Sequence, residues 1–273
     1  VANDGAGAAP GAAGEPAGDS RSITGRLGGL WAITSHWSMR GNAGRYFRIP
    51  SLLELYGNEG TLVGNPSLRP EEGINADLGV AFSARSLGAL RGVSFELSTF
   101  RTDTTDLIQL VTLTTRQVKA FNIGEARVTG VEASAAFRVF GRLGLSGNLT
   151  LQRPTDLGDS FNRGNDLPGT PRRQASTSES LDLSRVTIFH RLDYVGENDI
   201  GRLGKAASNL PAGRQSRTVL PARYLHDAGL RVRLGPRTTA TLEVLNIFDR
   251  HVVDVARYPL PGRTIFFKLS GSL

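Results

Sequence analysis

The sequence predicts an all-β chain of about eleven antiparallel strands forming part of a transmembrane β-barrel, and three observations carry that expectation. From Ser22 onward, apolar side chains alternate with small or polar ones at period two, which places them on opposite faces of a strand. The alternating segments run for roughly ten residues or more, as tilted membrane strands must, whereas strands of soluble sheets mostly stop near five or six. The breaks between segments alternate between tight turns and long polar connections, the asymmetry expected of the two ends of a membrane barrel.

Residues 1–21, rich in Gly and Ala, have no apolar periodicity and read as a flexible loop or tail ahead of a partial barrel over 22–273. Strands at 22–33 and 37–48 flank the tight turn Thr34-Ser35-His36. Pro50 then removes a backbone donor and opens a long polar connection over 50–69. The strand at 72–84 leads through the short break 85–90 into one at 91–112, where Val93, Phe95 and Leu97 oppose Ser94, Glu96 and Ser98. Only Thr114-Thr115-Arg116 separates this from 117–139, where Val131, Ala133, Ala135, Phe137 and Val139 alternate with Glu132, Ser134 and Arg138. That break is short where the scheme asks for a long one.

Beyond Phe140-Gly141, the strand at 142–153 sets Leu143, Leu145, Leu149 and Leu151 against Ser146, Asn148, Thr150 and Gln152. The long connection 154–171 precedes strands at 172–183 and 186–197, which flank the tight turn Leu183-Ser184-Arg185. A second long connection, 198–218, precedes strands at 219–234 and 237–248, joined at Gly235-Pro236. In the later of these, Ala240, Leu242 and Val244 oppose Thr239, Thr241 and Glu243. A last long connection, 249–261, leads to the strand at 262–273.

With the tight turns on one membrane face, the first and last strands run the same way. An odd count has the wrong parity for a complete bacterial barrel but is about half of the 22 strands of plugged outer-membrane transporters. The first strand seen here is then expected to be the twelfth.

Composition narrows the alternatives. Apolar runs such as Ile265-Phe266-Phe267 are too short for a membrane-spanning helix, which needs roughly 18 residues or more. The absence of cysteine excludes disulfides, zinc–thiolate sites and a thiol nucleophile. A net charge of +7 raises the question of nucleic acid, but the arginines are scattered, at Arg85, Arg91, Arg142, Arg185 and Arg237 among others, and form no basic stripe. No nucleic-acid partner is expected. No charged-then-apolar signal opens the chain, from which a missing front portion is expected. His36, His190, His226 and His251 lie on separate segments with no H-x-x-H spacing, there is no G-x-S-x-G elbow, and neither an enzyme, a bound metal nor a cofactor is expected.

Several motifs then align with one family. The block Tyr46-Phe47-Arg48-Ile49-Pro50-Ser51-Leu52-Leu53-Glu54-Leu55-Tyr56-Gly57 is followed by Gly64-Asn65-Pro66-Ser67-Leu68-Arg69-Pro70-Glu71. Together they resemble the F-R-x-P-S-x-x-E-L and G-N-P-x-L-x-P-E signature of TonB-dependent outer-membrane receptors. The run Asn122-Ile123-Gly124-Glu125-Ala126-Arg127-Val128-Thr129-Gly130-Val131-Glu132 is similar to that family's N-x-G-x-A-x-x-x-G-V-E strand. Leu167-Pro168-Gly169-Thr170-Pro171-Arg172 resembles its L-P-x-x-P-R segment. Asn246-Ile247-Phe248-Asp249, with Tyr258-Pro259-Leu260-Pro261-Gly262-Arg263, resembles its closing N-L-F-D and Y-P-x-P-G-R blocks.

The resemblance implies the C-terminal portion of a plugged barrel that imports a metal chelate, such as a ferric siderophore, or a corrinoid such as cobalamin. TonB would drive import through a plug domain, and neither a plug nor a TonB box is recognisable here. The family usually ends in an aromatic residue, whereas this chain ends at Leu273, in phase with Ile265, Phe267 and Leu269. Pro50, Glu54, Gly64, Asn65, Pro66, Pro70, Glu71, Gly130, Glu132, Asn246, Asp249, Gly262 and Arg263 are the signature positions, read as structural. Arg163, Arg172, Arg202, Lys205, Arg214 and Arg217, in the long connections, are the candidate contacts for an anionic chelate, since a guanidinium fork matches carboxylates. The same charges also suit a solvated loop or anionic lipopolysaccharide at the lipid surface. A passive channel or purely structural barrel stays open on the strand pattern alone.

Overall fold

The computed structural model describes residues 22–58, 60–113, 117–122, 124–158, 163–199, 219–255 and 258–271. The expected tail at 1–21 lies outside them. The chain begins with β1 (Gly25–Ala32), β2 (Trp37–Arg48), the short helix α1 (Leu52–Tyr56), β3 (Leu62–Val63), β4 (Glu71–Leu87) and β5 (Leu90–Thr105). It continues through β6 (Ile108–Thr112), β7 (Val118–Asn122), β8 (Ala126–Val139), β9 (Leu143–Asp156), β10 (Arg173–Leu183) and β11 (Val186–Val195). The last elements are β12 (Asn198–Asp199), β13 (Val219–Leu220), β14 (Arg223–Arg233), β15 (Thr238–Leu245), β16 (Val253–Val255), β17 (Tyr258–Pro259) and β18 (Thr264–Gly271).

Eleven of these strands form one antiparallel sheet in which every strand pairs with its neighbours in chain order: β1-β2-β4-β5-β8-β9-β10-β11-β14-β15-β18. Directly opposed residues share a face, so register identifies the faces. Trp31, Met39, Val80, Leu97, Ala133, Leu149, Ala175, Tyr194 and Tyr224 form a single row of opposed pairs across nine strands. One residue out of phase, Ser38, Ala81, Glu96, Ser134, Asn148, Ser176 and Asp193 form a second row on the other face. The first face is a lipid-matched wall and the second a polar lumen.

Among the described residues, no second layer covers the apolar face. Leu78 is 52% exposed, Ile265 64% and Phe267 72%, values that a soluble sandwich, which buries such side chains between its sheets, does not show. No helix among the described residues is long and apolar enough to cross a membrane.

Three expected strands are each divided, one of them, 219–234, into β13 and β14, with β13 pairing β12 outside the wall. The segment expected at 91–112 is β5 and β6, parted where Asp106 takes φ 54°. That expected at 117–139 is β7 and β8, parted near Gly124 at φ 89°. Asp tolerates the left-handed region because its short polar side chain bonds locally, and Gly lacks the opposing Cβ. The division removes the irregularity at Thr114–Arg116. Strands β6 and β7 leave the wall and join β3 in a separate three-stranded sheet, so residues 106–125 together form a long connection between wall strands.

Candidate functional site

The strand ends that border the long connections lie at one end of the wall, and the first connection is tightly built. Ser51 caps α1: its hydroxyl accepts from the Glu54 N–H at 3.2 Å, and the Glu54 carboxylate accepts from the Ser51 N–H at 2.7 Å. This reciprocal pair is the capping box that S-x-x-E encodes. Arg48, at the end of β2, reaches both Glu54 on α1, at 3.1 Å, and Glu71 at the start of β4. One guanidinium therefore ties the helix to two adjacent wall strands. Burial alone pushes the Glu54 carboxyl up, but the Ser51 N–H and hydroxyl and the charge of Arg48 outweigh it and hold Glu54 below the usual carboxylate range.

Residues after the helix dock onto the β6–β7 hairpin. The buried Asn65 side chain donates to the Ala120 carbonyl at 2.7 Å, and Asn122 donates to the carbonyls of Arg69 and Asp106 at 2.9 and 2.7 Å. Leu68, Ile108 and Ala120 pack together with Leu55 beneath these bonds, and β3 pairs with β7. Gly64 sits where a Cβ would lie 2.5 Å from the Tyr56 backbone. Pro66 and Pro70 bracket the turn between Asn65 and β4. The outcome is a small external platform with its own core.

A second clamp closes the last connection. Asn246, at φ 50°, bonds the Arg250 carbonyl and N–H, each at 2.9 Å, and Asp249 accepts from the Arg263 N–H at 2.8 Å. A Cβ on Gly262 would lie 2.8 Å from that same Asp249 oxygen. On the wall, Glu132 lines a lumenal hollow with Arg40, Glu96, Ser98, Asn148 and Thr150, while Gly130 lies beneath the Phe100 ring. Asn65, Glu71 and Asn246 are buried with partners, so their bonding capacity is spent within the fold.

The arginine candidates divide. Arg172 is held by Asp166 through two bonds of 2.6 and 2.7 Å, which raise its pKa. Arg163 lies exposed in the same connection and also has a partner. Arg202, Lys205, Arg214 and Arg217 lie outside the described residues. Sequence reasoning missed one constellation. Glu179, His190 and His226, on three adjacent strands of the apolar face, bond in a line: Glu179 to His190 at 2.6 Å and His190 to His226 at 3.0 Å. Register alone joins them, so no sequence spacing signals it. They do not converge on a point, and among the described residues no group of three His, Asp or Glu is able to hold a metal ion.

These clamps fall at the signature positions of an all-antiparallel wall built in chain order. A family model described as TonB dependent receptor-like, beta-barrel, matches residues 2–247. The chain belongs to the TonB-dependent receptor family. An iron-regulated outer membrane virulence protein of Vibrio cholerae is 24% identical over 246 residues, covering 83% of this chain and 36% of the relative. The copper transporter OprC superposes with a TM-score of 0.73 at 17% identity, over 92% of this chain and 38% of that one. The siderophore receptor PirA of Acinetobacter baumannii superposes at 0.70 and 16% identity, over 92% and 41%. The chain thus spans little more than a third of the TonB-dependent receptors it matches. As a barrel portion of this family it is a bacterial outer-membrane protein, with the long connections facing outward and the tight turns the periplasm.

Proposed function

We propose that this chain supplies the C-terminal wall and part of the external face of a receptor that imports a metal chelate, with a ferric siderophore favoured over a corrinoid such as cobalamin. The observation that carries this reading is the polar lumen beneath an external platform with its own core, on a wall whose apolar face no second layer covers among the described residues. The Vibrio relative is named as iron-regulated and PirA as a siderophore receptor, which supports iron, while OprC is named as a copper transporter. Within this reading the basic set Arg163, Arg202, Lys205, Arg214 and Arg217 of the long connections attracts the anionic chelate, and Arg172 positions its connection through Asp166. TonB drives transport through a plug domain carried elsewhere in the native polypeptide. No covalent step is required, since binding and a gated path suffice.

The test is growth of a strain lacking the native gene, complemented with it, under iron limitation and separately under cobalamin limitation, with and without a TonB-uncoupling agent. Rescue under iron limitation that disappears on uncoupling is expected. Rescue only under cobalamin limitation transfers the reading to a corrinoid. Uptake that persists after uncoupling shows a passive channel and ends the proposal.

A further inference from the structure

On the outward face of β9, β10, β11 and β14, register sorts the side chains by depth in the membrane. Leu149, Ala175, Tyr194 and Tyr224 form a row near the external ends, with the tyrosines at the level of an aromatic girdle. Leu143, Leu181, Ile188 and Leu230 form an apolar row nearer the tight turns. Between the two rows, Glu179 opposes His190. Glu179 is midway from Ala175 to the turn residue Leu183, and His190 is midway from Tyr194 to Val186. The middle of the lipid-facing wall therefore presents a carboxylate and an imidazole. His190 bonds Glu179 through Nδ1 at 2.6 Å and His226 through Nε2 at 3.0 Å, and Tyr224 and Phe248 stand edge-on to His226. The residues opposed to these three on the far sides are apolar: Leu145 to Glu179, Ala228 to His190 and Leu192 to His226. The His190 and Glu179 side chains are 36% and 35% exposed, so their mutual bond does not seal them from what lies outside the wall.

We propose that this line is the contact through which a second copy of the receptor packs side by side in the same membrane, a reading that does not depend on which chelate is imported. Acyl chains offer a carboxylate and two imidazoles no hydrogen-bond partner, and ionisable groups facing lipid at mid-depth are costly. A protein surface that supplies partners removes that cost. Charge complementarity selects a second copy as the occupant. The line has an acceptor at one end, Glu179, and an imidazole at the other, His226, with His190 able to donate or accept between them. Two copies in one membrane share their orientation, so a twofold axis relating them runs along the membrane normal and reverses the line from left to right. The carboxylate end of each copy then faces the imidazole end of the other. Leu145, Leu192 and Ala228 surround this exchange with apolar surface that excludes lipid from it. An unrelated partner needs a matching set of its own, whereas a second copy brings one by symmetry.

The native full-length polypeptide, cleared of any cysteine outside this chain, receives a single cysteine and is treated in intact outer membranes with a short bifunctional thiol cross-linker. Leu192→Cys places the thiol beside the line. Ala135→Cys places it on β8, in the same row and on the same face but three strands away. Mass spectrometry of the cross-linked product identifies its partner. Leu192→Cys should give a dimer of the receptor with at least about tenfold the yield of Ala135→Cys. Adding Glu179→Leu, His190→Leu and His226→Leu together should lower the Leu192→Cys yield at least about tenfold, the scale of one charge-assisted hydrogen bond. Leucine suits a lipid-facing position, so this variant should still fold, which its heat-modifiable band reports. Equal yields from Leu192→Cys and Ala135→Cys overturn the proposal, as does an undiminished yield in the folded leucine variant. A Leu192→Cys product joined to a different polypeptide also overturns it, since the line then serves another partner. If the leucine variant does not fold, the comparison of the two cysteine positions decides.

Discussion

At three places on the lumenal face an aromatic ring lies directly across from a glycine. Tyr46 opposes Gly73, Phe100 opposes Gly130 and Phe189 opposes Gly229. A Cβ at Gly73, Gly130 or Gly229 would sit 2.4, 2.6 or 2.2 Å from the ring opposite. The ring fills the space that the missing side chain leaves and covers the exposed backbone. Tyr46 goes further, crossing Gly73 to bond the Thr104 hydroxyl at 2.6 Å on the next strand. Gly130→Val should therefore lower stability by about 1–3 kcal/mol, the usual cost of overpacking. A lowered urea midpoint of the folded, heat-modifiable band is the readout, and an unchanged midpoint would show that Phe100 swings aside freely. Single-residue alternation was legible because period two survives without knowledge of any partner. The ring–glycine pairs and the Glu179–His190–His226 line were not, because both depend on register, which turn geometry fixes.

Among the elements, the helix α1 shows how a signature becomes a structure. Its residues are few, and a helix of one turn is not stable by propensity. It persists because Ser51 and Glu54 cap it and Arg48 fastens Glu54 beside Glu71. Ser51→Ala should cost about 1 kcal/mol locally, and Arg48→Met should raise amide exchange across 49–70 while leaving β8 to β11 unaffected. Uniform exchange in both regions would show that the clamp does not hold the platform.

Acid offers a second handle on the same element. Glu54 is held below its ordinary value in the folded state, so its contribution is complete above the ordinary carboxylate range and is lost as pH falls through the lowered value. Protection of 49–70 should decline in that acidic window, and Glu54→Gln should flatten the decline. The signature positions were legible as a set from sequence. Their clamping roles were not, since Arg48 and Glu71 are brought together only by pairing of β2 with β4. The divisions at Asp106 and near Gly124 were hidden for a related reason: apolar alternation continues through both points while the backbone turns out of the wall.

For the molecule as a whole, the eleven-stranded wall has two free edges, β1 and β18, along which every described residue of β1 and all but the first of β18 are exposed. Unpaired edges with apolar side chains at each rim invite association. Residues 22–273 expressed alone should consequently yield a species that oligomerises and shows no heat-dependent shift in electrophoretic mobility, whereas the native polypeptide should show one. A monomeric, heat-modifiable product from the segment alone would mean that the wall closes on itself. The direction of this architecture was the most legible feature of the chain, because strand length and the rhythm of tight and long breaks are both local. Closure was beyond the sequence, since nothing in a strand's alternation says where its last neighbour lies.

The pairing of every wall strand with its neighbours in chain order bears on how such a protein is made. No hairpin has to search past another to find its mate, so the search entropy that slows most large sheets is confined to short stretches of chain. Only the seam that joins the two rims is remote. A lesion inside the wall should thus delay one local step, while a lesion at either rim should strand an otherwise finished sheet in the periplasm, where proteases would meet it first.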